Sequence, residues 1–211
     1  VTIGVVTVAY GPTYRAFLPE WAEAVGALQT VPQQVTIVTD EVNPVIADHV
    51  SEYVPGAVWV ISPRVPIHHP QVLVNDAIAI THTDWICKMD ADDIIYPHAF
   101  NGMDHYPSDI FMFGIHLQGR DMPPNNVTGQ QVLQSTENLV FSGSPFRRWV
   151  WEENHCRDMI YEDWAFWREA ARAGAIFRPS GTIDYEYRIH GGNISLRADD
   201  QYWREAVRSI T

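Results

Sequence analysis

Three aspartates in four residues, Asp90-Ala91-Asp92-Asp93, follow directly on an apolar run over residues 85–89. Carboxylates at that spacing repel one another unless something neutralises them. A hard divalent cation with oxygen ligands does so, and it also bridges phosphate oxygens. An acidic turn in which Asp93 caps a short helix is the other reading of the same residues. A second acidic pair, Glu162-Asp163, lies between Tyr161 and Trp164 at the start of a helical pattern. Acids in a first turn suit the helix dipole. They also suit a general base, a carboxylate that takes the proton as a hydroxyl oxygen attacks. In that second case one of the pair faces a cleft and the other points elsewhere. The segment Tyr187-Arg188-Ile189-His190-Gly191-Gly192-Asn193 sets one of nine histidines at a strand end beside two glycines. Most other histidines, His68-His69 included, read as ordinary surface or loop residues.

The elements that must position these groups alternate through the first half. The continuous apolar, β-branched run over residues 5–9 predicts a strand buried on both faces, and residues 35–39, 58–61 and 85–89 read as further strands. Between them, Phe17, Leu18, Trp21, Val25 and Leu28 fall on one side of a helix over 14–28, and a second helix fits 71–80. This rhythm predicts a parallel sheet flanked by helices, with ligands outside the carboxyl ends of the strands. Tyr10, Asp40 and the Asp90 cluster each follow a strand and should line that edge. Beyond residue 100 the pattern loosens: a strand over 110–115, a polar loop over 119–130, a helix over 162–173 closed by Gly174. A strand over 183–189, a turn at Gly191-Gly192 and a last helix over 199–209, started near Asp199 or Asp200, complete it. Trp149, Trp151, Trp164 and Trp167 cluster near the second acidic pair. Large aromatics chiefly build cores, and their faces also suit sugars, so Trp164 is the candidate cleft residue.

Composition narrows the classes. The chain has 211 residues, 46% hydrophobic and 19% charged, which is enough for one well-filled core. A net charge of -12 without a basic stripe argues against nucleic-acid binding. No apolar run reaches the roughly 20 residues a transmembrane helix needs. The start, Val1-Thr2-Ile3-Gly4, reads as a strand and not as a signal peptide. Two distant cysteines, Cys87 and Cys156, make neither a disulfide scaffold nor a zinc site, so a reducing, cytoplasmic setting is expected. The triplets Asn126-Val127-Thr128 and Asn193-Ile194-Ser195 are then chance matches to a glycosylation signal.

In order and spacing, the set resembles the GT2 family of glycosyltransferases, which have the GT-A fold. The elements are Tyr10 after the opening strand, Asp40 after the second, Asn75 on the central helix and Asp90-Ala91-Asp92-Asp93 with Pro97. Ser142-Gly143-Ser144, Glu162-Asp163 and Tyr187 to His190 continue the series over nearly the whole chain. The resemblance implies an α/β fold: a single GT-A-type domain over 1–211, with a mainly parallel twisted sheet flanked by helices. Residues 1–100 would form the nucleotide-binding half and 101–211 a smaller acceptor-side half. It implies donor contacts from Val8, Ala9, Tyr10, Asp40, Asn75, Asp76, Asp90 and Ala91, and acceptor contacts from Ser142, Gly143 and Trp164. Asp90-Ala91-Asp92 resembles the family's D-x-D motif. Asp92 and His190 would hold Mn²⁺ or Mg²⁺, with Asp90 on the ribose or on the metal through water. Asp163, beside Glu162, matches the base of the inverting members. The partners so implied are a nucleotide diphosphate sugar, UDP- or GDP-linked, and a hydroxyl acceptor that is a glycan, small molecule or protein. Two departures stand out. Val8-Ala9-Tyr10-Gly11 replaces the common Pro-x-Tyr-Asn, and Val74-Asn75 replaces Arg-Asn, which removes a donor contact. Two other readings compete. A sugar nucleotidyltransferase would need a glycine-rich phosphate loop, which Tyr10-Gly11-Pro12-Thr13 lacks. A non-catalytic binding module of the same fold would bind the donor without turnover.

Overall fold

The apolar run at the start of the chain forms β1 (Ile3–Ala9), buried along its whole length. It pairs in parallel with β2 (Gln34–Thr39), which in turn pairs in parallel with β3 (Val58–Ile61). On the other side of β1 lies β4 (Trp85–Lys88), also parallel. The computed structural model describes residues 1–62, 70–190 and 201–210. The readings placed on His68-His69, Gly191-Gly192, Asn193-Ile194-Ser195 and Asp199-Asp200 concern residues outside the described ones.

Beyond β4 the sheet continues through β5 (Ile94–Ile95), β6 (Ile110–Leu117), β7 (Arg120–Met122), β8 (Phe146–Arg147) and β9 (Phe177–Tyr187). The order is β3-β2-β1-β4-β8-β6-β9-β5, with β7 paired to β6. Parallel pairing therefore holds across the first half. The second half is mixed, with β8 antiparallel to both neighbours and β9 parallel to β6.

Alternation along each strand builds two cores. Ile3, Val5 and Ala9 of β1, with Trp85 and Cys87 of β4, pack on one face. That face is covered by α2 (Leu18–Gly26) and α3 (Pro44–Tyr53), through Leu18, Trp21, Val25 and Val50. Val6 and Val8 with Ile86 point to the other face. There they meet α4 (Val74–Ile80), α6 (Arg148–Glu153) and α7 (Glu162–Arg172), through Val74, Ile78, Trp151, Phe166 and Trp167. β1, β2 and β4 are thus covered on both faces, whereas β3, at the sheet edge, is exposed at Val58 and Ile61 and half-buried between them.

Local chemistry explains where elements differ from expectation. The helix expected over 14–28 is two: α1 (Gly11–Arg15), then α2. Pro19 lacks an N–H and is tolerated only in a first turn, so a new helix starts at Leu18. The stretch 71–80 begins as a 3₁₀ turn, Pro70–Leu73, before α4. The loop expected over 119–130 holds β7 and the start of α5 (Gly129–Gln134), where Thr128 and Gln131 form a capping box. The strand expected over 183–189 is longer, because β9 follows β6 with a register shift beside Gly114. The last helix, α8 (Gln201–Arg208), lays Val207 on Trp164 and Ala165 of α7.

Candidate active site

The order β2-β1-β4 makes a switch point between β1 and β4, and the chain ends of three strands meet at that edge. Gly11 N, just after β1, donates to Asp40 Oδ1 at 2.8 Å, just after β2. Arg15 of α1 pairs with the same carboxylate oxygen and, at 3.1 Å, with Glu41. Burial acts to raise the Asp40 pKa, but the hydrogen bonds from Arg15 and Gly11 prevail and hold it below its ordinary value. Asp40 is therefore already engaged within the protein, and Arg15 is a cation at this edge that sequence reasoning did not single out.

β4 ends in the aspartate loop. Its position is fixed by β5, which pairs antiparallel with the end of β9, Ile95 opposite Tyr185 and Ile94 opposite Glu186. That register places Tyr185, Arg188 and His190 over the loop. Asp90 N donates to the Tyr185 hydroxyl at 3.2 Å, and Gln71 donates to Asp90 Oδ1. Arg188 N donates to Asp93 Oδ1 at 2.9 Å, while its guanidinium donates to the Asp92 carbonyl and reaches Glu20 of α2 at 2.5 Å. His190 Nε2 lies 2.7 Å from Asp92 Oδ2, although 98 residues separate the two in sequence. The His190 ring rests against Phe17, with centroids 5.1 Å apart.

The loop is electrostatically uncomfortable. Burial pushes the Asp90 carboxyl up to about 7, with Lys88 opposing and Asp92, Glu162 and Asp163 adding to the rise. Burial, then Asp90 and Asp92, also hold the Asp93 carboxyl well above its ordinary value. Asp93 Oδ2 is buried with no hydrogen-bond partner. Carboxyls kept from ionising by burial and by each other are what an added cation would reverse. No three His, Cys, Asp or Glu side chains among the described residues form a metal cage. Asp92 and His190 could offer an ion one carboxylate oxygen and one imidazole nitrogen at the same point, and Mg²⁺-type sites use one or two carboxylates and take the rest from phosphate and water.

The second acidic pair opens α7. Tyr161, just before it, is left-handed at φ 64°, ψ 34°. A non-glycine residue there is strained by roughly 1–3 kcal/mol, and such strain clusters at functional sites. The turn sends Glu162 inward, where it is 4% exposed, to meet Lys88 Nζ at 2.7 Å. Lys88 follows Ile86 on the α7 side of β4, which is why a lysine in a buried strand finds a carboxylate there. Asp163 is half-buried and accepts from Asn138 Nδ2 at 2.7 Å. Burial, then the Glu162 charge, push the Asp163 carboxyl up to about 6. Glu162 is tied to Lys88, yet both members of the pair border the same cavity.

Asp90, Glu162 and Asp163 line one cavity of about 400 Å³, together with Ser142, Phe141 and Tyr187. The donor side departs from expectation at several residues. Val8 and Ala9 are both buried, each in the core on one face of the sheet. Tyr10 is half-buried at the strand end. Asn75 does not face the cleft. Its Nδ2 donates to the Cys156 carbonyl at 2.8 Å, and its Oδ1 accepts from Trp151 Nε1 at 2.8 Å and Cys156 N at 3.0 Å. It braces α4 against the chain between α6 and α7. Asp76 accepts from Ser62 Oγ at 2.8 Å, and Ala91 is buried. On the acceptor side, Trp164 is 2% exposed and packs on Met159, Val207 and Ile210. Helical spacing from Asp163 turns it into the core. Gly143 is buried as well, and a Cβ there would lie 2.8 Å from the Phe141 ring and 3.1 Å from the Tyr185 ring.

No family model matches the chain, and no curated protein matches it by sequence. Solved structures do match in fold. S. aureus TarS superposes with a TM-score of 0.71 at 15% identity, over 90% of this chain and 37% of that one. TarS 1–349 in complex with UDP-GlcNAc gives 0.69 at 15%, over 92% and 61%. The mannosyltransferase PcManGT from Pyrobaculum calidifontis, in complex with GDP-Man and Mn²⁺, gives 0.66 at 15%, over 98% and 64%. The chain thus spans well under two thirds of TarS. Likeness at this identity establishes architecture, and the architecture is the mixed α/β GT-A type. No helix among the described residues is long and apolar enough to cross a membrane.

Proposed function

We propose that this protein is a metal-dependent glycosyltransferase of GT2 type that moves a sugar from a nucleotide diphosphate to a hydroxyl acceptor, with inversion. The observation that carries the reading is convergence. Asp92 and His190, remote in sequence, touch at one end of the site. Asp163 shares a cavity with Asp90, the neighbour of that pair. The fold neighbours lend support, since two of them hold UDP-GlcNAc and GDP-Man with Mn²⁺.

In this reading residues 1–100 hold a UDP- or GDP-sugar and 101–211 present the acceptor. A Mn²⁺ or Mg²⁺ ion on Asp92 and His190, when bound, supplies Lewis-acid neutralisation of the departing diphosphate. Asp90, carried on the same loop as Asp92, lines the cavity. Asp163 takes the acceptor's proton as the acceptor oxygen bonds to the anomeric carbon. The bond from that carbon to the diphosphate breaks, and its electron pair leaves with the diphosphate. The pKa of about 6 suits a base that is free at neutral pH yet basic enough to act. Glu162, neutralised by Lys88, orients the start of α7 and does not itself take the proton. Both cysteines are free and buried, which suits the cytoplasm.

The test is release of nucleoside diphosphate from a panel of UDP- and GDP-sugars with Mn²⁺ and mixed hydroxyl acceptors. Asp163→Asn should lower kcat by about 10²–10⁴-fold, the usual worth of a general base. Wild-type turnover by that variant would remove Asp163 from the role.

A further inference from the structure

Resting on the glycosyltransferase reading, we infer that the acceptor carries an apolar body, alkyl or aryl, next to the hydroxyl that receives the sugar. The cavity lining is of two chemical kinds. Asp90, Ser142, Glu162 and Asp163 supply its acidic and hydroxyl groups, where the transferred sugar and the reacting hydroxyl would meet. Ile115, Leu117, Met122, Pro123, Pro124 and Leu139 add an apolar wall without a charged group.

The β6–β7 hairpin builds that wall by simple alternation. Ile115 and Leu117 are two apart on β6 and share a face. Met122 is the cross-strand partner of Ile115 and joins them. His116 and Asp121 lie opposite each other and join at 2.7 Å, on the other face. A two-residue turn, Gln118 at φ 49° and Gly119 at φ 79°, closes the hairpin as a tight type I′-like turn. An outlying hairpin normally turns apolar side chains to a core and polar ones to water. Here the apolar face looks into an open cavity, and Met122 is 47% exposed.

Two amide side chains of the lining already hold one partner or more within the protein. Asn125 Nδ2 donates to the Leu139 carbonyl at 2.8 Å. Asn138 donates to Asp163, and its Oδ1 accepts from Val140 N at 3.2 Å. A sugar against Ile115, Leu117, Met122, Pro123, Pro124 and Leu139 would leave hydroxyls facing side chains that neither donate nor accept, at a cost for each one left unpaired. An apolar group meets no such cost. At about 400 Å³ the cavity stands near the small end of ligand pockets, roughly 300–1,000 Å³. The part of the acceptor held inside it is therefore compact.

Matched methyl, hexyl and phenyl glycosides of several sugars, assayed with the preferred donor, test the inference. Hexyl or phenyl acceptors should exceed methyl at least tenfold in kcat/KM. In Leu117→Asn and Met122→Gln that ratio should fall below about threefold. Met122 is partly exposed, so its variant should fold and decides the matter if Leu117→Asn does not. Equal kcat/KM across the three aglycones would overturn the inference and leave the glycosyltransferase reading standing. So would a preference unchanged in Met122→Gln. If no donor is turned over on any acceptor, the glycosyltransferase reading fails and the inference falls with it.

Discussion

Replacing Lys88 with methionine should cost this protein a large part of its stability. Lys88 and Glu162 have side chains only 6% and 5% exposed and meet at 2.7 Å. At that separation, with an effective dielectric constant near 20, their attraction is about 6 kcal/mol. Desolvation offsets much of it, so the pair adds little net stability over an apolar substitute. Removing one partner is different, because a buried carboxylate is left without its counter-charge. Such losses run to about 3–5 kcal/mol, against a total of about 5–15 for a domain. Glu162→Gln on top of Lys88→Met removes the orphaned charge and should recover about 2 kcal/mol. Urea unfolding followed by tryptophan fluorescence reads all three proteins. A single variant within about 1 kcal/mol of wild type, or a double variant no better than the single, would refute the argument.

Activity should follow a plateau above pH 6 and fall about tenfold per unit below it. Burial and Glu162 raise the Asp163 pKa to about 6, and a protonated base cannot accept a proton. A flat kcat/KM between pH 7 and 5 would exclude that carboxyl. Gly114→Ala should destabilise by about 1–3 kcal/mol, since a Cβ there would lie 2.3 Å from the Thr182 carbonyl and 2.8 Å from Pro124 Cδ. A melting temperature equal to wild type would show that β6, β9 and the proline segment are not so closely packed.

Sequence carried the first half of the fold well. Apolar runs at β1, β2 and β4, each followed by a polar residue or turn, specify buried parallel strands, and the run at β3 forms a parallel strand that lies exposed at the sheet edge. It also brought Asp92, His190 and Glu162-Asp163 into view, because charged residues at strand and helix ends stand out. The misses have physical reasons. Val8 and Ala9 lie at a strand end, where pleating sends them to opposite faces of the sheet and both faces are covered. Asn75 and Trp164 occupy the right elements and the wrong helical faces, which periodicity alone did not assign. Lys88 was legible in principle, since a lysine inside an apolar strand demands a buried partner. Arg15, Gln71 and Tyr185 act through contacts 19 to 95 residues away, which no local pattern contains. The hairpin wall was hidden in a segment whose proline and asparagine content reads as loop.

The central claim is that Asp92 and His190 make a cation site that receives a nucleotide diphosphate. Thermal melting with UDP and with GDP, each with and without Mn²⁺, tests it on wild type and on His190→Ala. At a hundredfold excess over Kd a ligand stabilises by about 2.7 kcal/mol, which shifts a domain of this size by roughly 5–10 °C. The account predicts that shift for one nucleotide, only with Mn²⁺ present, and its loss in His190→Ala. An equal shift without the metal, or one that survives the substitution, would contradict it.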